Sequence, residues 1–280
     1  MNPPDQTWQA GRYLIDLSKP VVMGIVNVTP DSFSDGGAHA DSASAIRHAE
    51  RLLTEGAKIL DIGGESSRPG ARTLSPDEEW SRVGDLIREA VKWAVPISVD
   101  TYKPETMARA LDMGADIVND IRALGEPGAE QIVASHPSCG ICLMHMQGLP
   151  ENMQDSPHYV DPIHEVSTFL QGRATKMEGL GVSRKRITLD PGYGFGKSVQ
   201  DNLQLLQHQA TLAAMGYPLL VGWSRKSTIG AITGRPVEQR LAGSLAAALA
   251  SIQLGARIIR VHDVAETVDA IKVWQAAGLV

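Results

Sequence analysis

Residues 23–37, MGIVNVTPDSFSDGG, carry the pattern that decides the fold: a buried strand that opens into a polar loop. The apolar run over residues 21–28 predicts the strand, and Asn27 places an amide near its carboxyl end. A buried amide without a partner costs about 1–3 kcal/mol. Parallel α/β folds bind ligands beyond the carboxyl ends of their strands. On these residues alone, Asn27 is equally well read as a satisfied core group or as a ligand.

Apolar runs of the same kind recur along the whole chain. They cover residues 21–28, 58–63, 96–101, 116–121, 140–146, 187–190, 218–223 and 257–262. They are rich in Val, Ile and Leu and do not alternate, which is typical of buried parallel strands. Dividing 280 residues by eight gives 35 per unit, a comfortable length for a βα repeat. The pattern predicts a (β/α)8 TIM barrel over residues 21–280 after an appendage at 1–20 with a small strand pair; an open doubly wound sheet is the alternative.

Capping signals mark the helices between these strands. Asp41 is expected to open the first helix, and Ser75 caps the next one ahead of a proline and acidic residues. Gly56, Gly114 and Gly255 each follow a helical stretch and precede a strand. This repetition favours equivalent βα units.

Composition excludes several classes of protein. The net charge is -6, whereas a general nucleic-acid binder is usually basic. The N-terminus, MNPPDQ, has no signal-peptide pattern, and no apolar run approaches 18 residues. These observations predict a soluble cytoplasmic protein that binds neither nucleic acid nor membrane. Cys139 and Cys142 have C-x-x-C spacing, but they lie in a predicted strand, so alternation points them to opposite faces as inert buried thiols.

Polar residues stand at the carboxyl end of nearly every predicted strand. They are Asn27, Asp61, Asp100, Asn119, Asp120, His145, Asp190, Arg225, Lys226, Arg260 and His262. TIM-barrel active sites lie at this face, so the set as a whole indicates a catalytic site. Taken one at a time, Asp61, Asp120 and His145 are as consistent with a structural role as with a functional one.

The charges of this set suggest a ligand with two different ends. Asp100, Asn119 and Asp190 suit the N–H donors of a nitrogen heterocycle. Arg260, His262 and Asn27 suit an anion, with Mg²⁺ favoured where substrate phosphates supply most of the ligands. Residues 224–227, SRKS, lead into a predicted helix and offer a further anion site.

The glycine-rich stretch 190–198, DPGYGFGKS, is similar to a phosphate-binding loop but does not match one. The pattern needs glycine at position 191, which is Pro191, and the spacing from Gly192 is one residue short. These glycines are instead expected to let the backbone approach a flat ring, with Phe195 as one wall.

Taken together, these motifs resemble the dihydropteroate synthase family. They are GIVNVTPDSFSDGG, DIGGESSRPGA, SVDT, NDI, LMHMQG, LDPGYGFGK, SRKS and RVHD, in order from Met23 to about Trp274. The resemblance implies an enzyme that joins a pterin-methyl diphosphate to p-aminobenzoate and releases pyrophosphate. It also implies a homodimer formed through barrel helices near the C-terminus.

The resemblance implies a role for each residue at a matching position. The pterin would be held by Asp100, Asn119, Met144, Asp190, Lys226 and Arg260. The aminobenzoate site would be lined by Phe33, Ser67, Arg68, Pro69, Phe195, Lys226 and Ser227. The diphosphate would be bound by Asn27, Arg68, Arg260 and His262, and Asn27 would also bind Mg²⁺. The expected mechanism is dissociative, with no covalent enzyme intermediate. Asp100, Lys226, Arg260 and His262 would be catalytic, and Asp35 would stabilise the cation or take a proton late.

Three positions depart from the family pattern. Ser67 stands where Thr is frequent, Tyr193 where Phe is frequent, and Trp223 where a smaller residue is expected. None removes a required functional group. Two other functions remain open, a pterin-binding methyltransferase and a non-catalytic pterin-binding paralogue. The loop at residues 29–38 is expected to act as a lid and to be disordered without ligands.

Overall fold

The chain folds into a closed barrel of eight parallel strands, preceded by a two-stranded antiparallel hairpin. The structure, a computed structural model, describes residues 6–29, 38–66, 70–148, 153 and 157–279, with side chains of the first helix from residue 42. The hairpin is β1 (Thr7–Ala10) and β2 (Tyr13–Asp16), and the barrel strands are β3 (Val21–Asn27), β4 (Ile59–Gly63), β5 (Ile97–Asp100), β6 (Ile117–Asp120), β7 (Gly140–Met144), β8 (Ile187–Asp190), β9 (Leu219–Val221) and β10 (Ala256–Val261). The predicted (β/α)8 barrel is confirmed, and the open sheet is excluded.

Helices surround the barrel and connect its strands. They are α1 (Ala38–Thr54), α2 (Pro76–Ala90), α3 (Pro104–Met113), α4 (Ala129–Ser135), α5 (Pro162–Gly179), α6 (Val199–Gln207), α7 (Gln209–Ala213), α8 (Ser227–Thr233), α9 (Leu241–Gln253) and α10 (Val264–Ala276). Among the described residues, none of these helices is long and apolar enough to cross a membrane.

The helix ends follow the capping signals, with one difference. Ser75 and Glu78 form a reciprocal capping box at the start of α2. Gly56, Gly114 and Gly255 all adopt positive φ angles, of 108°, 105° and 98°. Helix α1 begins at Ala38 rather than after the predicted cap at residue 41, because alanine-rich sequence favours extending the helix toward its N-terminus.

Strand order places the polar strand ends at one mouth of the barrel. Each strand pairs in parallel with its neighbours in sequence, and β10 closes the barrel against β3. In this register Asn27 lies beside Gly63, Gly63 beside Asp100, and Asp100 beside Asn119. Because all eight strands run the same way, residues that are far apart in sequence meet at their carboxyl ends.

The N-terminal hairpin covers the opposite mouth. Trp8 is fully buried, and its indole Nε1 donates a 2.9 Å hydrogen bond to the carbonyl of Arg186, one residue before β8. Trp8 packs in one cluster with Ala10, Leu17 and interior side chains of the barrel strands. The expected strand pair is therefore present, and it seals the amino-terminal end of the barrel core.

Replacing Trp8 with alanine is expected to destabilise the barrel without altering its chemistry. Truncating a buried Trp costs about 3–5 kcal/mol, and Trp8 lies at the mouth opposite the polar strand ends. Urea unfolding should show this loss in Trp8→Ala and a smaller one in Trp8→Phe, which keeps a ring. A change in kcat/KM of more than about threefold, under conditions where the fold is intact, would contradict this separation.

The two cysteines lie on different faces of the barrel wall, as strand alternation predicts. Cys142 packs in the barrel interior with Trp8, whereas Cys139 belongs to the layer between strands and helices. Both thiols are free and buried, and burial raises the pKa of each. The C-x-x-C spacing therefore does not form a redox pair.

Candidate active site

Arg260 is the centre of the polar cluster at the carboxyl mouth. Its Nε donates to Asp61 Oδ2 at 2.6 Å, and its Nη2 donates to Asp100 Oδ2 at 2.5 Å. Asn119 Nδ2 donates to the same Asp61 oxygen at 3.0 Å. The guanidinium is thus held by two carboxylates, and their charges raise the Arg260 pKa even though burial acts to lower it.

Asp61 and Asp100 differ in exposure although they share this guanidinium. The Asp61 side chain is fully buried and its Oδ1 lacks a hydrogen-bond partner among the described residues, whereas the Asp100 side chain is 16% exposed at the mouth. Burial raises the Asp100 pKa, opposed by the Arg260 charge and assisted by Asp61. Asp61 therefore orients Arg260 and Asn119 from below, and Asp100 is the carboxylate that is exposed at the mouth.

Asp190 begins the glycine-rich turn, and its position depends on that turn. Its Oδ1 accepts the Gly192 N–H at 2.7 Å. A Cβ at Gly192 would lie 1.9 Å from the His145 carbonyl oxygen, and φ there is 67°, so only glycine allows this approach. In the structure this glycine lets the turn approach the main chain after β7, and the approach of the turn to a flat ring stays a prediction. Burial raises the Asp190 pKa, with Gly192 and the Lys226 charge opposing.

Lys197 holds the same turn in place. Its buried ammonium donates to the carbonyls of His145, Gly192 and Phe195 at 3.0–3.2 Å and lies 3.0 Å from His145 Nδ1. Burial lowers the pKa of Lys197 to about 7. The lysine that made this stretch similar to a phosphate-binding loop therefore binds main-chain oxygens of its own turn.

Lys226 and Phe195 contact each other at one side of the mouth. Lys226 Nζ lies 3.8 Å from the centre of the Phe195 ring, a cation–π contact. Burial and the Arg260 charge lower the Lys226 pKa, whereas Asp190 and Asp100 act to raise it. Phe195 also packs with Met144 in a buried cluster. These side chains form an apolar wall with one cation beside the two carboxylates.

His262, which directly follows β10, and Asn27, the last residue of β3, lie at the other side of the mouth. His262 Nδ1 is 3.0 Å from Ser224 Oγ, and burial with the Arg260 charge lowers the His262 pKa to about 3. A neutral imidazole at pH 7 follows, and it can offer a hydrogen bond rather than a charge. The Asn27 amide is half-buried and has no hydrogen-bond partner among the described residues.

Three polar strand-end residues have structural roles. Asp120 accepts the N–H groups of Arg122 and Leu124 at 2.7 and 2.8 Å. His145 packs edge-on against Phe169 and contacts Lys197. Arg225 pairs with Asp263 at 2.5 Å. For Asp120 and His145 the geometry favours the structural alternative, and Arg225 is held away from the cluster.

Ser227 is exposed in the first turn of α8. Phe33, Asp35, Ser67, Arg68 and Pro69 lie outside the described residues. So do residues 30–37, on which the expectation of a disordered lid rests. The roles that the resemblance implies for these residues stay predictions.

Two of the three departures from the family pattern contact each other. The rings of Tyr193 and Trp223 stack with centroids 4.2 Å apart, and the Tyr193 hydroxyl donates to Gln209 at 3.0 Å. Tyr193 lies on the turn after β8 and Trp223 just after β9, so the stack joins the loops that carry Phe195 and Lys226. The larger Trp223 ring is thus accommodated by its stacking on Tyr193.

Two residues that support the site, Lys197 and Ser224, are not identified as such by the pattern of polar residues at strand ends. The sequence marks Lys197 only as part of a stretch similar to a phosphate-binding loop, and Ser224 only as part of an anion motif. Their partners, the His145 carbonyl and His262, lie 52 and 38 residues away in sequence. Only the closed barrel brings these pairs together.

Removing the Lys197 ammonium is expected to loosen the turn that carries Asp190 and Phe195. In Lys197→Met three buried carbonyls lose a donor, at about 1–3 kcal/mol for each unsatisfied group. The free energy of unfolding should fall, and KM for the pterin that the resemblance implies as substrate should rise about tenfold through misplacement of Asp190. Equilibrium unfolding and steady-state kinetics measure both effects. The exposed Lys185→Met is the matched control; equal KM values in the two variants would contradict the role.

Comparisons with known proteins find relatives over nearly the whole chain. The model of the family described as pterin binding enzyme matches residues 23–262. A dihydropteroate synthase from Neisseria meningitidis serogroup C is 54% identical over 276 residues, covering 97% of this chain and 98% of the relative. The dihydropteroate synthase of Escherichia coli strain K12 is 48% identical over 94% of this chain and 93% of its own length.

Solved structures show the same architecture. A Xanthomonas albilineans dihydropteroate synthase with 4-aminobenzoic acid superposes with a TM-score of 0.92 and 49% identity, covering 98% of this chain and 99% of that one. A Burkholderia cenocepacia dihydropteroate synthase complexed with 7,8-dihydropteroate gives 0.89 and 44%, covering 99% and 97%. With this barrel, this cluster and these relatives, the chain belongs to the pterin-binding enzymes, in the dihydropteroate synthase family.

Proposed function

We propose that this chain condenses 6-hydroxymethyl-7,8-dihydropterin diphosphate with p-aminobenzoate to give 7,8-dihydropteroate and pyrophosphate. The observation that carries the proposal is the cluster in which Arg260 is held by Asp61 and Asp100, next to Asn119. It places hydrogen-bond acceptors and a planar cation at one barrel mouth. The relatives that share this barrel are dihydropteroate synthases over nearly their full length.

The heterocycle fits the side of the mouth that carries Asp100, Asn119 and Asp190. Ionised carboxylates accept N–H donors of an amino-pyrimidine ring in charge-assisted hydrogen bonds. Met144 is buried at the end of β7 and supplies an apolar surface below the ring. The Arg260 guanidinium is fixed by its carboxylate contacts, so its plane is available for stacking without further ordering.

The diphosphate fits the side that carries Arg260, His262 and Asn27. Mg²⁺ takes few protein ligands and keeps substrate phosphate oxygens and water, and the Asn27 amide, which has no partner within the described part of the chain, offers one such oxygen. The described residues contain no cluster of three His, Cys, Asp or Glu able to hold a metal alone, so Asn27 would act together with the substrate. When bound, Mg²⁺ would neutralise charge on the leaving diphosphate.

The residues favour a dissociative substitution. The bond between the pterin methylene carbon and the diphosphate oxygen breaks, and the electron pair leaves with the diphosphate, which Arg260 and His262 hold. The Asp100 and Asp190 carboxylates lie on the pterin side and stabilise the cation that remains. The amine of p-aminobenzoate is neutral at pH 7, forms the new C–N bond and then loses a proton. Asp35 is the proposed late acceptor or cation stabiliser.

The aminobenzoate fits between Phe195, Lys226 and Ser227. Phe195 supplies a ring face, and the Lys226 ammonium above it suits a carboxylate-bearing ring. Phe33, Ser67, Arg68 and Pro69 complete this proposed subsite. The Xanthomonas albilineans relative, which holds 4-aminobenzoic acid, supports the assignment by similarity.

Pyrophosphate release tests the function. We expect release from the pterin diphosphate that depends on p-aminobenzoate, and loss of that release when a chelator removes Mg²⁺, restored by added Mg²⁺. Absence of release with both substrates and Mg²⁺ present would overturn the proposal. Pterin binding without release would then indicate a binding paralogue, and transfer of a methyl group from methyltetrahydrofolate would indicate a methyltransferase.

A homodimer through the C-terminal helices is also proposed. Ile232 in α8 and Val237 in the following 3-10 turn are exposed apolar side chains, at 54% and 40%. A neighbouring copy would cover them, as apolar patches at oligomer interfaces are covered. Sedimentation equilibrium should give twice the chain mass, and an Ile232→Glu variant should shift it toward the monomer. A cytoplasmic location remains a prediction.

A further inference from the structure

Glu65 lies just beyond β4, and its carboxylate is a junction for three donors. Oε2 accepts the Lys103 ammonium at 2.6 Å and the Leu74 N–H at 2.7 Å, and Oε1 accepts the Tyr102 hydroxyl at 2.9 Å. The Glu65 side chain is only 11% exposed. We name Glu65, Leu74, Tyr102 and Lys103 the Glu65 clasp.

The Glu65 clasp joins the two ends of the β4–α2 loop. Glu65 stands near the start of that loop, and Leu74 lies just before the Ser75 cap of α2. The Glu65 carboxylate at one end of the loop therefore bonds Leu74 at the other end, and through Tyr102 and Lys103 it attaches both ends to the connection between β5 and α3. A loop with both ends fixed has fewer conformations to lose on binding a ligand.

A second buried carboxylate supports the lysine of the Glu65 clasp. Lys103 Nζ lies 3.5 Å from Glu79 Oε1, and Glu79 Oε2 accepts the hydroxyls of Thr101 and Thr106 at 2.8 and 2.6 Å. Burial acts to lower the Lys103 pKa, but the Glu65 hydrogen bond and the Glu79 charge outweigh it and raise the pKa. The ammonium is therefore charged, and it holds Glu65 as an ion pair.

Tyr102 links the Glu65 clasp to the pterin side of the mouth. Its ring packs in the buried cluster that contains Met144 and Phe195. The Arg122 guanidinium lies 4.0 Å from the Tyr102 ring centre and fixes the ring from another side. The hydroxyl that bonds Glu65 is thus carried by a ring whose position depends on the floor of the active site.

We propose that Glu65 is a positioning residue for the arylamine half of the reaction, holding both ends of the β4–α2 loop against the barrel rim. The proposal rests on the proposed function, because Ser67, Arg68 and Pro69, assigned to the aminobenzoate subsite, lie in sequence between Glu65 and Leu74. Glu65 acts through the loop and does not itself contact the reacting atoms.

Glu65→Gln is the direct test, because it keeps the side chain's size and removes its charge and one acceptor oxygen. KM for p-aminobenzoate should rise about tenfold because the two ends of the loop are no longer joined, whereas KM for the pterin diphosphate, to whose proposed site the loop contributes only Arg68, should rise by a smaller factor. Hydrogen exchange at the Leu74 amide should accelerate. Glu89→Gln, an exposed α2 residue paired with Lys92, is the control and should leave all three values unchanged.

Tyr102→Phe provides a second variant that keeps the buried ring and removes one donor. It should raise KM for p-aminobenzoate in the same direction by a smaller factor. Unchanged KM and unchanged Leu74 exchange in Glu65→Gln would overturn the positioning role, as would an equal rise in both KM values. If the wild-type chain forms no dihydropteroate, the proposed function and the positioning role are both wrong; if it does, the variants test the positioning role alone.

Discussion

Replacing Arg260 with methionine should lower kcat/KM for dihydropteroate formation by about 10²–10³-fold, the loss typical of a preorganised group that meets charge developing in the transition state. Arg260 is the only cation bonded to Asp61 and Asp100 among the described residues. It is also the proposed contact for both the pterin and the diphosphate. Measuring kcat/KM by pyrophosphate release gives the loss directly.

The same substitution should also destabilise the fold. Removing one partner of a buried ion pair costs about 3–5 kcal/mol, because Asp61 is fully buried and would lose its cationic partner. Adding Asp61→Asn to Arg260→Met should recover much of the free energy of unfolding but none of the activity.

The comparison of these variants separates the two roles of Arg260. Arg257→Met, on the same strand near the opposite mouth, is the control and should retain kcat/KM. A loss in Arg260→Met of less than about tenfold, or recovery of activity in the double variant, would show that Arg260 serves stability rather than chemistry.

The Asp100→Asn variant should lose about 10²–10³-fold in kcat/KM for the pterin diphosphate, because an amide replaces a carboxylate that accepts N–H donors with a charge-assisted bond. An Asn side chain also presents its own N–H to the ring on one side. Asp112→Asn, an exposed substitution on α3, is the control. Product formation by Asp100→Asn at the wild-type rate would make the pterin assignment wrong.

The pH dependence gives an independent measurement of the same carboxylate. Burial raises the pKa of both Asp100 and Asp190 in the free protein, and in the proposed site each is ionised when it accepts the ring's N–H groups. Activity is therefore present above the raised pKa values and is lost as pH falls through them, at higher pH than for an ordinary aspartate near 3.9. In Asp100→Asn only Asp190 still titrates, so the acid limb of kcat/KM should become shallower. An acid limb of unchanged slope would contradict the raised Asp100 pKa.

The sequence alone determined the barrel and most of the residues at its mouth. Eight apolar runs with helix caps between them specify strand number and direction, and parallel strands bring their carboxyl ends to one face. Asn27, Asp100, Asn119, Asp190, Arg260 and His262 could be selected on that ground, since their distance from a strand end is a local property. The N-terminal hairpin and the opposite faces of Cys139 and Cys142 followed from local patterns as well.

Only the tertiary structure decided which of these groups bind one another. Asp61 and Arg260 are 199 residues apart in sequence, and no local pattern shows that they share a hydrogen bond. The same holds for Lys197 with the His145 carbonyl, for the Tyr193–Trp223 stack and for Glu65 with Tyr102. Burial, and with it the direction of each pKa shift, arises from the packing of the whole barrel. The residue types at the strand ends can therefore be read from the sequence. Which side chains pair, and how their pKa values shift, depends on closure of the barrel.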